Sequence, residues 1–210
     1  MLEIIQIENN PVSSNCFVVY DKQYDNSCVV IDPGSENEQK IIALIQNNQL
    51  IVDYIFLTHE HFDHIWSVNN ILKIFPQAQL TCNKTCGDRI TNRKKNNSIF
   101  YNQIGFEITR PSIVTDELTS GIRWGNYTIT FMNTPGHSLG SICITIDGKL
   151  FTGDTLIPNE KTVTKLPGGS SEEIKQTIEK LQFFKGRNIT IYPGHGNSFL
   201  LDDYDLNKML

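Results

Sequence analysis

The stretch Thr58-His59-Glu60-His61-Phe62-Asp63-His64 constrains this chain more than any other. It packs three histidines and one aspartate into adjoining positions. Imidazole nitrogen and carboxylate oxygen are the donors that a borderline divalent ion such as zinc prefers. Without an ion the cluster would repel itself when protonated and would be costly to bury dry. The flanks suit a ligand site. Tyr54-Ile55-Phe56-Leu57 reads as a short apolar strand, and Ile65, Val68, Ile71, Leu72 and Phe75 recur at helical spacing until Pro76. The cluster then lies on the turn from the C-terminal end of a strand into a helix, where α/β sheets place ligand sites. The competing reading is a polar loop with coincidental histidines, which the density and placement disfavour.

The rest of the chain alternates strand and helix. Residues 2–8, 14–20 and 27–32 read as strands, with Asn9-Asn10-Pro11 and Asp25-Asn26 as turns. Ser35 and Glu38 form a capping-box pattern for a helix to about Asn48, carrying Ile41, Leu44 and Ile45 on one face. Gln79 to Cys82 is a further short strand. Residues 83–112 are the least regular, polar and locally basic through Arg89, Arg93, Lys94, Lys95 and Arg110, with Phe100, Tyr101 and Phe106 interspersed. They read either as a flap greeting an anionic substrate or as a solvated helix face with its loop. From 113 onward strands dominate: Tyr127, Ile129 and Phe131 alternate with polar residues, as do Ile142, Ile144 and Ile146, and Asp147-Gly148 signals a hairpin into Leu150–Thr152. Ser170 and Glu173 make a second capping box, for a helix with Ile174, Ile178, Leu181 and Phe184 inward, ending near Gly186. Asn188 to Tyr192 is the last expected strand. The segments 1–112 and 113–210 each hold strands followed by helix, which predicts two sheets packed face to face with helices outside, in one α/β domain over 1–210.

Composition excludes some partners. A net charge of −5 disfavours nucleic acid. The N-terminus lacks the basic start and long apolar run of a signal peptide, and no stretch approaches a membrane span, so a cytoplasmic protein with no membrane partner is expected. The five cysteines are odd in number and no disulfide framework is expected in that compartment. Cys28 and Cys143 read as small core residues. Cys82 and Cys86 read as a pair on a helix face, since no second pair of soft ligands accompanies them.

The two remaining histidines also follow strands. His137 lies in Thr134-Pro135-Gly136-His137-Ser138, and His195 in Pro193-Gly194-His195-Gly196. Each alone fits a hydrogen-bonded structural histidine as well as a ligand. Together with the cluster they place all five histidines of the chain at strand-end turns. Asp154, in Phe151-Thr152-Gly153-Asp154-Thr155, is a carboxylate in the same kind of position.

In this set and order the sequence resembles the metallo-β-lactamase-fold hydrolase superfamily. The resemblance rests on the H-x-H-x-D-H motif at 59–64, His137, Asp154, His195 and Asp32 of Asp32-Pro33-Gly34, and it runs from about residue 14 to 197. It implies an αββα sandwich of two mixed β-sheets flanked by helices. It implies one metal on His59, His61 and His137, a second on Asp63, His64 and His195, Asp154 bridging them, and Asp32 orienting the ligand loop. The ions would be zinc, with iron or manganese also compatible with these ligands. A nearer likeness is to small glyoxalase II-type (hydroxyacylglutathione hydrolase-like) thioesterases, through Asn97-Ser98, Pro135–Ser141, Phe151–Leu156 and Leu166-Pro167-Gly168-Gly169.

The implied activity is hydrolysis of a small-molecule acyl thioester by a hydroxide shared between two ions, with Asp154 and Asp63 as catalytic carboxylates. A thiolate leaves readily, so no strong general acid is required. The chain departs from its relatives at three places. Ser67 stands where glycine is usual, with bulky Trp66 before it, Asn159–Lys165 stands where a Gly-Arg-x-Asp stretch is usual, and the short tail after His195 leads us to expect no C-terminal glutathione-binding region. The rivals are a mononuclear-iron persulfide dioxygenase using His59, His137 and Asp154, a lactonase or other ester hydrolase, and a non-catalytic metal-binding module. A β-lactamase would need export and a nuclease of this fold a large insertion, so neither is expected.

Overall fold

The structure is a computed structural model and describes residues 1–209. The chain divides into two compact units, Met1–Thr115 and Asp116–Leu210.

The first unit is built on a six-stranded mixed sheet of order β1-β2-β3-β4-β5-β6. Its strands are β1 (Leu2–Glu8), β2 (Asn15–Asp21), β3 (Ser27–Ile31), β4 (Ile51–Phe56), β5 (Gln79–Cys82) and β6 (Ile113–Val114). β1, β2 and β3 pair antiparallel, and β3 to β6 pair parallel. Every residue of β2 and β3 is buried, as central strands covered on both faces require. Parallel neighbours need crossovers, and the helices supply them. α1 (Gln39–Asn47) leads into β4; α2 (Phe62–Ile65) and α3 (Val68–Ile74) lead into β5. The core runs from Val18, Val30 and Ile55 through Ile41, Ile45, Ile65 and Ile71 to Leu80, Cys82, Cys86 and Ile90.

Two expectations need correction here. The Ser35–Glu38 capping box does not form: Glu38 is the N-cap and caps nothing with its side chain. Ser35 Oγ instead donates to Asn9 Oδ1 at 3.0 Å and accepts from the Asn10 amide at 3.3 Å. The helix after the histidine cluster is two short helices, broken at Trp66-Ser67, where the Ser67 amide turns to Pro33 O at 2.9 Å.

Residues 83–112 hold two further helices, α4 (Lys84–Ile90) and α5 (Ser98–Asn102). Asn83 caps α4 by accepting from the Cys86 amide at 2.7 Å. Cys82 and Cys86 are both buried in the core, as expected of a structural pair.

The second unit carries another six-stranded mixed sheet, of order β12-β11-β10-β9-β8-β7. Its strands are β7 (Ile122–Trp124), β8 (Tyr127–Asn133), β9 (Ile142–Ile146), β10 (Lys149–Gly153), β11 (Thr190–Pro193) and β12 (Phe199–Leu200). Only β10 and β11 are parallel, and α6 (Ser171–Gln182) crosses between them. Here the serine half of the expected box forms, with Ser170 Oγ accepting from the Glu173 amide at 3.2 Å, while the Ser170 amide donates to Gly136 O and not to the Glu173 side chain. Ile174, Ile178 and Leu181 of α6 are buried with Cys143, Leu150, Ile191 and Leu201, and Phe184 packs against that core. Among the described residues no helix is long and apolar enough to cross a membrane.

Candidate metal centre

The first ligand set lies on the turn between β4 and α2 and is governed by Asp32 at the end of β3. β3 and β4 are adjacent and parallel, so both loops leave the same edge of the sheet. Asp32 is buried and adopts a left-handed φ of 51°. Its Oδ1 accepts the Thr58 amide at 2.8 Å, and its Oδ2 accepts Thr58 Oγ1 at 2.5 Å and His64 Nδ1 at 3.0 Å. Thr58 Oγ1 in turn meets His59 Nδ1 at 3.1 Å. An ionised carboxylate only accepts, so His64 carries its proton on Nδ1 and keeps a lone pair on Nε2. One carboxylate thus fixes the ring orientation of His64 directly and of His59 through Thr58, which is how outer partners prepare metal-binding imidazoles.

The backbone interlocks as tightly. A Cβ on Gly34 would fall 1.5 Å from Asp63 O, so only glycine allows the two loops to touch. Ser14 Oγ also donates to Asp63 O, and Ser67 Oγ donates to Ser35 O. Ser67 therefore ties the ligand turn to the loop that carries Asp32.

Glu60, between the two leading histidines, received no role from the sequence. Its side chain is fully buried and pairs with Arg89 Nε on α4. Arg89 Nη2 continues to Lys95 O at 3.3 Å. Arg89 is thus a half-buried ion-pair partner of the ligand turn rather than part of a solvated face. The only available signal was an acid enclosed in an otherwise ligand-bearing run, and nothing in sequence pointed to an arginine so far along the chain.

The second set comes from three loops. His137 follows β8, Asp154 follows β10 and His195 follows β11. His137 Nδ1 donates to Val163 O at 2.9 Å, which leaves a lone pair on Nε2. The turn before it is fastened to α6: Ser170 N donates to Gly136 O at 2.8 Å and Thr177 Oγ1 to Pro135 O at 2.8 Å. Gly136 has φ 135°, and a Cβ there would lie 2.5 Å from Ile174 N. Gly194 N donates to Gly153 O at 2.8 Å, which pins the His195 loop to the Asp154 loop.

Three separations within these sets share one length. His64 Nε2 lies 3.6 Å from Asp63 Oδ2, and His137 Nε2 and His195 Nε2 each lie 3.5 Å from Asp154 Oδ2. Two donors bound about 2.0–2.1 Å from one tetrahedral ion stand about 3.4 Å apart. The observed spacings are long for hydrogen bonds and suited to ligands of a common ion. In the first set, donor atoms of Asp32, His59 and His64 also lie within 4.8 Å of one another. A nitrogen–oxygen donor set of this kind fits a borderline divalent ion.

All five cysteines are buried, and burial pushes the Cys28 and Cys143 thiols up to about 12 and those of Cys16 and Cys86 well above their ordinary value. Cys28 and Cys143 serve as core, as expected.

Comparison with known proteins places the chain in a family. The family model of the metallo-β-lactamase superfamily matches residues 9–195. A probable metallo-hydrolase of Methanocaldococcus jannaschii is 30% identical over 205 residues, covering 92% of each chain. A hydroxyacylglutathione hydrolase of Vibrio campbellii is 24% identical over 180 residues, 85% of this chain and 61% of that one. The crystal structure of the BLEG-1 B3 metallo-β-lactamase superposes with a TM-score of 0.85 at 25% identity, covering 95% of this chain and 94% of the other.

Proposed function

The chain belongs to the metallo-β-lactamase superfamily and has its fold, and from that premise we propose a thioester hydrolase of the glyoxalase II type that works with two divalent ions. The coarser statement, a metallo-hydrolase, is the one its family and relatives carry. We also propose that the two units are halves of a single domain. In this reading His59, His61 and His137 serve one ion, Asp63, His64 and His195 the other, and Asp154 both; the assignment follows the family's motif order. Zinc is the first choice for the donor set, with iron or manganese as the alternatives.

The observation that carries the reading is the trio of nitrogen–oxygen separations near 3.5 Å, two of which converge on the same Asp154 oxygen. When bound, the ions supply an acidified water as nucleophile and a Lewis acid for the carbonyl. The chain's own part is to hold ligands in the correct tautomer. Asp32 does so for His64, and Val163 O does so for His137. All five histidines are committed in this assignment, so a substrate with a good leaving group is favoured, and a thiolate is one. Asp63, the less enclosed carboxylate with its side chain 13% exposed, is the residue we assign to proton transfer with solvent.

The test is hydrolysis of S-lactoylglutathione by the metal-replete protein, with metal counted per chain and Asp154→Ala as control. Turnover with two ions per chain, and loss of both turnover and one ion in the variant, is the expected result. Full occupancy and full activity in Asp154→Ala would remove its bridging role. One iron per chain with oxygen consumption on a persulfide would replace the hydrolase by a dioxygenase.

A further inference from the structure

We propose that Phe62, Trp66 and Tyr101 form an apolar shelf that receives the acyl chain of the substrate, so that medium-length apolar acyl groups are preferred over small hydroxyacyl groups such as lactoyl. The inference deepens the thioester-hydrolase reading and rests on it for the identity of the occupant.

Phe62 stands between His61 and Asp63 in the chain and opens α2, the helix that carries Asp63 and His64. It stacks on Tyr101 of α5 at 4.9 Å and 30° and meets Trp66 edge-on at 5.8 Å. Trp66 meets Tyr101 edge-on at 5.5 Å and leans on Phe106 at 5.2 Å. These are spacings of mutually attractive rings. The group is not sealed as core: Tyr101 is 46% exposed, and Phe100 and Ile104 beside it are 70% and 72% exposed. No charged residue occurs from Asn96 to Phe106, although basic residues precede the stretch directly.

The shelf is built rather than loose. Asn102 Oδ1 accepts the Ile104 and Gly105 amides at 3.1 and 2.8 Å, Asn96 Nδ2 donates to Phe106 O at 2.8 Å, and the Phe106 amide donates to Ser98 Oγ at 2.9 Å. Side-chain hydrogen bonds to backbone thus hold an exposed aromatic surface in a fixed shape beside the ligand turn. An exposed apolar surface of this kind calls for an occupant. Its continuity with Phe62 makes that occupant the substituent next to the reacting carbonyl. Trp66 supplies the ring that joins Phe62 to Phe106.

The experiment has two arms. The chain has only two tryptophans, and Trp124 is buried in β7, so Trp124→Phe leaves Trp66 as the sole reporter. Lactate, hexanoate and decanoate are titrated into that metal-replete variant, with Trp66→Phe as the blank. A saturable change in Trp66 emission is expected, with affinity rising about two- to fourfold per methylene. In the second arm, acetyl, hexanoyl and decanoyl thioesters of N-acetylcysteamine are hydrolysed by wild type, Tyr101→Ala and Tyr101→Phe. The decanoyl-to-acetyl ratio of kcat/KM should fall about tenfold or more in Tyr101→Ala, mainly through KM, and be kept in Tyr101→Phe. A silent Trp66 with hydrolysis indifferent to chain length would overturn the shelf while leaving the hydrolase standing. A chain-length-dependent Trp66 response without thioester turnover would keep the shelf and remove the thioesterase. Concentration-dependent dimerisation lost in Tyr101→Ala, with no response to the acids, would assign the surface to a second copy of the chain and overturn the proposal.

Discussion

The two ligand sets are assembled in opposite ways. The first occupies one tight turn and is held by side chains: Asp32 to Thr58 and His64, Thr58 to His59, Glu60 to Arg89. The second is gathered from three loops and is held largely by backbone: Val163 O for His137, Gly153 O for the His195 loop, and the N-terminal turn of α6 for the Gly136 carbonyl. His64 is fully enclosed, whereas the His195 side chain is 27% exposed. A cluster close in sequence can be fixed by a few buried polar groups. A set scattered in sequence depends on how well whole strands and a helix are registered.

That contrast can be tested by breaking each lock in turn. The largest effect should come from Arg89→Met, which leaves Glu60 buried without its ion-pair partner. A loss of about 3–5 kcal/mol is expected, read from urea unfolding. An undiminished midpoint would mean that Glu60 finds water or another donor. Asp32→Asn comes next. Asparagine keeps one accepting oxygen and turns the other into a donor, so the Thr58 amide and His64 Nδ1 can no longer both donate to this side chain, and metal affinity should fall about 10–100-fold by competition with a chelator, with little change in secondary structure. Ser170→Ala removes the α6 cap and should cost about 1 kcal/mol in the same urea assay. Equal losses from Ser170→Ala and Arg89→Met would erase the distinction between the two locks. The smallest effect is a difference in hydrogen exchange after metal is stripped. The Thr58 amide, bonded to Asp32, should stay protected, while amides of 159–165 should exchange faster. Uniform acceleration would show that the first set also needs its ions for order.

The same contrast explains what could be read in the sequence. The cluster at 59–64 was legible because donor types, flanking strand and following helix all lie within one short window. His137 and His195 were ambiguous one at a time, because the partners that orient or hold them, Val163 O and Gly153 O, are carbonyls with no residue-type signature. Of the box at Ser170–Glu173 the serine cap was legible, because the Ser170 hydroxyl bonds locally to the Glu173 amide, whereas the Ser170 amide is taken by Gly136 O, remote in sequence. The box at Ser35–Glu38 failed because Asn9 and Asn10, remote in sequence, engage Ser35 first. β7 and β12 span three and two residues, too short for an alternating pattern to register. The Glu60–Arg89 pair was invisible for the same reason as the Asn9–Ser35 contact: it joins segments that only the folded sheet brings together.

The approach of Gly34 to Asp63 O bears on transplantation. A designer who grafts the seven-residue motif onto the end of some other parallel strand would carry the donors but not their seat. The smallest portable piece is a pair of neighbouring strand ends, one bearing Asp32-Pro33-Gly34 and the other the histidine turn, with Ser67 as the clasp between them. Any scaffold with a side chain where Gly34 stands would push the turn outward before an ion ever arrived.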